Sequence, residues 1–135
     1  DLKPWRIGLV RDYTYTPEIW QLARDGVLRS ETPASDLSGL RMLLVGRIEV
    51  LPIDRNVACE LLTQHFSPAE QLRMTAHPRL MTDRFSTHVL LPPGKARSAD
   101  LQRVFNQGLA QLRASGEYER LARGPVRCPA HWNGG

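Results

Sequence analysis

Long apolar runs are missing from this 135-residue chain. No stretch approaches the roughly 18 to 20 apolar residues that a membrane-spanning helix requires. No basic, then apolar, then small-residue leader stands at Asp1, although an exported protein whose leader had been removed would read the same way. Cysteine is scarce: Cys59 and Cys128 are the only two, far apart and without a Cys-x-x-Cys spacing, which argues against zinc-ribbon and dithiol redox motifs. They could pair only if the C-terminal tail folded back near Cys59, and two separate thiols are the simpler expectation. His65, His77, His88 and His131 share no i, i+4 ligand spacing with a nearby acid, so neither a metal nor another cofactor is expected. Lysine is nearly absent, with Lys3 and Lys95 alone among 18 basic residues. The arginines are scattered from Arg6 to Arg127 among acids and apolar residues. The net charge of +4 therefore reads as solvated surface and not as a nucleic-acid-binding stripe.

What remains is ordinary globular composition, 41% hydrophobic and 24% charged, in a length that suits one domain with a real core. Residues 6–10 are apolar with polar flanks and read as a short buried strand. Thr16 suits an N-cap, Pro17 the first helical position and Glu18 the positive end of the dipole, so a helix follows and stops at Gly26. Residues 27–32 read as a second strand. Ser35 or Asp36 caps the next helix, which carries Leu37, Leu40 and Leu44 on one face and closes at Gly46. Residues 48–53 return as a third strand that Pro52 confines to an edge, and 56–65 form a third helix. Strand-helix repeated three times argues for a parallel α/β sheet with right-handed crossovers.

Beyond this point the pattern loosens. Ser67 and Glu70 form a capping box for a short helix. Residues 87–91 read as another strand, and Ser98 caps a long amphipathic helix carrying Leu101, Val104, Phe105, Leu109 and Leu112 to its end at Ser115-Gly116. Tyr118 to Leu121 adds a turn. The expected organisation is an α/β lobe over residues 1–97, a helical segment over 98–123 and a loose tail over 124–135.

In an open α/β sheet, ligands bind outside the carboxyl ends of the strands, near helix N-termini. The stretch "RDYTY", residues 11–15, lies at such a junction. Free N–H groups in the first turn of the following helix would favour an anion such as a carboxylate. Arg11, Asp12, Tyr13, Thr14 and Tyr15 are the candidate ligand-binding residues of this turn, Thr14 through its hydroxyl and the tyrosines through flat walls and phenols. Asp54, at the end of the third strand, would face the same crevice and suit an ammonium group. The plainer alternatives are that Asp54 caps the helix after it and that the tyrosines cover the sheet edge.

Three segments, "DLKPWRIGLVRDYTY", "GRIEVLPIDR" and "LQRVFNQGLAQLRASGEYERL", together resemble the second half of bacterial extracellular solute-binding proteins of the polar-amino-acid type. Gly46-Arg47 and Asp54 match that family's strand motif, and Arg113 to Tyr118 match its closing helix. Asp12 stands where the family usually has glycine, and Glu49 replaces an aspartate. The resemblance implies one periplasmic-binding-protein-like lobe with a mostly parallel open sheet flanked by helices and a long C-terminal amphipathic helix. It also implies a non-enzymatic periplasmic clamp that closes on an amino acid or similar small polar solute and presents it to an ABC-type permease. Tyr13 and Thr14 fall in the carboxylate-contacting turn, and Asp54 aligns with the ammonium-binding acid. The resemblance places the long helix on a first lobe that would come before the segment starting at Asp1; without that lobe, the helix is expected to pack on the sheet or to pair with a second copy in a homodimer. Two alternatives share the scaffold: a periplasmic dehydratase-like enzyme, for which Asp12 or Glu18 would be the general acid, and the ligand-sensing domain of a membrane signalling protein.

Overall fold

The computed structural model describes residues 2–78, 81, 89–94, 96–122 and 128–132. They belong to two compact units, Asp1–Met81 with Arg127–Gly135, and Thr82–Val126.

The first unit is helix-rich around a small parallel sheet. Strand β1 (Arg6–Gly8) pairs in parallel with β2 (Arg29–Glu31), in the register Arg6↔Arg29, Ile7↔Ser30 and Gly8↔Glu31. Between them runs α1 (Pro17–Arg24), with Thr16 at its N-cap and Gly26 at positive φ just past its end. Helix α2 (Asp36–Leu44) follows β2, capped by a reciprocal Ser35–Ser38 box and closed by Gly46, also at positive φ. Helix α3 (Arg55–His65) starts at the Asp54 N-cap, and α4 (Pro68–Gln71) at the Ser67–Glu70 box.

Among the described residues, the open multistranded sheet expected from the sequence is reduced to these two short strands and one bridge. Each shortening has a local cause. The amides of Val27 and Leu28 donate to the Leu22 carbonyl and finish α1, so β2 begins only at Arg29. On the β1 side, Leu9 and Arg11 still donate to Glu31 and Pro33, but Pro33 has no N–H to return. The third segment touches the sheet through a single parallel bridge, Ile7↔Val50. There the Glu49 carboxylate takes the Arg6 amide at 2.9 Å, in place of a main-chain carbonyl. Pro52 can extend no ladder beyond it. Of the fourth expected strand, residues 87 and 88 lie outside the described residues, and Val89 to Leu91 carry no regular structure.

Two apolar clusters hold the unit. Ile7, Leu9 and Leu28 are buried with Tyr15, Ile19, Trp20, Ala23 and Val50 against them. Leu40, Leu62, Phe66 and Met74 form the other, between α2 and α3 and the turn after α4. Close approach is enforced by glycine: a Cβ on Gly8 would lie 2.6 Å from Ile48 Cδ1, and one on Gly39 2.9 Å from Leu51 Cδ1.

The tail was expected to be loose and the cysteines separate; both expectations are corrected for residues 128–132. Cys128 forms a disulfide with Cys59 of α3, with their Cα atoms 4.5 Å apart. A short 3₁₀ turn (Ala130–Trp132) follows and lays Trp132 against the Leu40–Leu62 cluster.

The second unit contains α5 (Ala96–Ala114) and α6 (Glu117–Ala122), joined at Gly116, which has positive φ. Helix α5 is already formed at Ala96, so Ser98 is not its cap. The Arg113 guanidinium lies 5.0 Å from the Tyr118 ring centroid across the joint. Leu101, Val104 and Phe105 are exposed.

Candidate functional site

Three segments run parallel in the first unit, in the order β2, β1 and the Val50 bridge. Each leaves its carboxyl end through a turn into a capped helix: 11–16 into α1, 32–35 into α2, and 51–54 into α3. This places the sequence-predicted residues at one end of the sheet.

Tyr13 links the junctions. Its hydroxyl donates to Asp36 Oδ2, across 23 residues of chain. That bond to a carboxylate, helped by burial and by the neighbouring charges of Asp36 and Asp54, pushes the phenol pKa up to about 12. The charge of Asp54 adds the smallest part of that rise, and no hydrogen bond joins Asp54 to Tyr13 or Asp36 among the described residues. Asp36 is the residue that sequence reasoning missed as a site member, having read it only as a helix cap. The available signal was its position, an acid opening a helix right after a strand, as at Asp54. The second Asp36 oxygen, Oδ1, is buried and has no hydrogen-bond partner among the described residues.

Tyr15 serves the scaffold. Its hydroxyl accepts from the Val10 amide at 3.1 Å, and its ring meets Trp20 edge-on at 5.5 Å. Burial raises its pKa, partly opposed by that amide. Asp12 has φ 62°. Aspartate tolerates this left-handed region better than most residues, and glycine better still. Arg11 and Thr14 are exposed, and the Arg11 amide donates to the Pro33 carbonyl.

Asp54 is a helix cap: Oδ1 accepts from the amides of Asn56 at 2.8 Å and Val57 at 3.1 Å. The plainer reading of this aspartate, as the cap of the helix after it, is the one its hydrogen bonds show.

The anion site expected at the start of α1 is already filled. Pro17 has no N–H. The Glu18 carboxylate is drawn to its own amide and to Thr16, which lowers its pKa. The Ile19 amide goes to Thr16, 3.1 Å to the carbonyl and 3.5 Å to Oγ1. The Ile19 N–H thus has its partner and the Glu18 N–H lies beside its own carboxylate, a charge that a ligand carboxylate would have to displace.

Among the described residues no group of three or more His, Cys, Asp or Glu is placed to hold a metal ion, and no helix is long and apolar enough to cross a membrane. No protein-family model, curated protein or solved structure matches the chain.

Proposed function

We propose that this chain is one lobe of a periplasmic solute-binding protein, which holds an amino acid or similar small polar solute without chemical turnover and delivers it to an ABC-type permease. The observation that carries the reading is the Tyr13 hydroxyl bond to Asp36, which ties two strand-to-helix junctions together, with Asp54 opening the helix at the third. Carboxylates at one crevice, with a buried oxygen lacking a donor, suit an ammonium group held by charge-assisted hydrogen bonds. With the α1 amides occupied, the ligand carboxylate falls to Arg11, the one cation of the turn, and to the Thr14 hydroxyl. The disulfide agrees with an oxidising compartment such as the periplasm.

The test is an amide-resonance titration of the chain with alanine, ethylamine and propionate, each at millimolar concentration. Alanine is expected to shift residues 11–15, 36 and 54 more than either half-ligand does. If none of the three moves those residues, the solute-binding reading is wrong and the cluster is a structural latch. A shift by ethylamine equal to that by alanine refutes the role of Arg11 and Thr14.

A further inference from the structure

The segment around Cys128 is held to the first unit by one covalent bond and a handful of polar ones. Cys59 is fully buried in the middle of α3, whereas Cys128 is only half-buried on an irregular segment. After it, Pro129 is buried, the His131 Nε2 and Trp132 Nε1 groups both donate to the Met74 carbonyl, at 2.8 and 3.0 Å, and an Arg55 N–H reaches the Trp132 carbonyl at 3.1 Å. The Trp132 ring covers the cluster of Leu40, Leu62, Phe66 and Met74. Among the described residues, 128–132 join no strand, and their backbone-to-backbone bond is the internal turn from the Trp132 amide to the Pro129 carbonyl. By contrast, α2 and α3 each have their own caps and intrahelical ladders.

We propose that residues 128–132 form a redox-locked strap, which closes over the α2–α3 cluster when Cys59 and Cys128 are oxidised and lifts when they are reduced. This inference does not rest on the solute-binding reading. The less buried cysteine sets the order of events. A thiolate of an external dithiol attacks Cys128 Sγ, the disulfide breaks, and Cys59 leaves as a thiolate that takes a proton. The second thiol of the reductant then displaces Cys128 as a thiol, and the reductant departs as a disulfide carrying away two protein-sulfur oxidation equivalents. Closure is the reverse exchange, with a disulfide-bearing oxidoreductase as oxidant. Once lifted, the strap leaves Cys59 and the side of the cluster that Trp132 covered open to solvent. The chain would therefore complete this part of its core only in an oxidising compartment.

The experiment uses the intact chain without denaturant, treated with dithiothreitol and then pulsed with iodoacetamide, with adducts located by mass spectrometry and helicity followed by circular dichroism. The expected result is alkylation of both Cys128 and Cys59 at retained helicity. Three results overturn the proposal: resistance of the disulfide to dithiothreitol, alkylation of Cys128 alone with Cys59 still protected, or loss of helicity together with reduction. In the second case the polar contacts hold the strap down by themselves; in the third the bond supports the whole unit. As a control that leaves both sulfurs in place, Trp132→Ala should leave the Cys59 alkylation rate of the reduced chain unchanged, because the strap has already lifted. A faster rate in that variant would show that Trp132 still covers the reduced chain, and overturns the proposal.

Discussion

Gly8 sits where β1 passes under the side chains of the third parallel segment, and substituting it tests whether that contact fixes the sheet. An alanine Cβ would lie 2.6 Å from Ile48 Cδ1 and 3.0 Å from Leu51 Cδ1. Ordinary contact between such carbons begins near 3.4 Å, so Ile48 would have to retreat by most of an ångström. It cannot do so cheaply, because it is itself 1% exposed. Overpacking of this kind costs about 1–3 kcal/mol. The smaller conformational freedom of alanine in the unfolded chain returns about 0.4–1 kcal/mol. Gly8→Ala is therefore expected to destabilise by roughly 0.5–2.5 kcal/mol. Ile48→Val removes the offending Cδ1 and alone should cost about 0.5–1.5 kcal/mol. Combined, the two changes exchange one methyl for another in the same space, and the double variant should lose less than the sum of the single losses. Urea unfolding followed by tryptophan fluorescence reads the first unit alone, since Trp5, Trp20 and Trp132 all lie in it. Additivity within about 0.5 kcal/mol would mean that Gly8 and Ile48 do not press on each other, and the packing argument would fall.

The other expectations concern the crevice. Asp54→Ala should cost about 0.5–2 kcal/mol through the lost cap; Asp54→Asn should keep most of that stability while losing ammonium affinity, and equal stability losses for the two would refute the capping role. Asp12→Gly should be near neutral or stabilising by thermal denaturation, whereas Asp12→Val should cost about 1–2 kcal/mol because a β-branched residue resists positive φ; equal melting temperatures for the two would contradict this conformation. The Tyr13 pKa of about 12 lies above its ordinary value of 10.0, so the neutral phenol stabilises the fold fully below pH 10 and that contribution is lost as pH rises toward 12. Asp36→Asn should bring one phenolate transition down toward pH 10 in an ultraviolet titration; an unchanged curve would remove Asp36 as the cause.

What the sequence made legible was local. Thr16, Ser35, Asp54 and Ser67 announce the starts of α1 to α4 because a capping side chain bonds to amides only two or three residues ahead. Sheet width was not legible. Whether residues 27 and 28 extend β2 depends on the Leu22 carbonyl claiming their amides, and whether residues 48–53 form a strand depends on a Glu49 carboxylate reaching Arg6, 43 positions away. Apolar patterning records neither competition. The disulfide spans 69 residues, and no spacing rule for two lone cysteines anticipates it. In the site, the 11–15 turn and Asp54 were legible as strand ends. Asp36 was not, since only the fold brings it to Tyr13. The filled amides of α1 were legible in principle: proline in the first turn removes one donor, and glutamate beside it supplies a competing anion.

In the proposed site, capping and ligand binding would fall to different carboxylates. Both amides that Asp54 satisfies are bonded through Oδ1, and stripping them to serve a ligand would unpair the start of α3. Asp36 carries no such duty, because Ser35 caps α2, and among the described residues its side-chain donor is the Tyr13 hydroxyl. A buried carboxylate oxygen without a donor costs about 1–3 kcal/mol or more, a deficit that an arriving ammonium would relieve. If the crevice takes an ammonium, its strongest gain is therefore at Asp36, with Tyr13 as the group that must keep or share that carboxylate. The 11–15 turn then has a physical reason for its crowd of polar groups: Tyr15 anchors it through the Val10 amide, Asp12 bends it, and Tyr13 reaches back to the acid that opens the next helix.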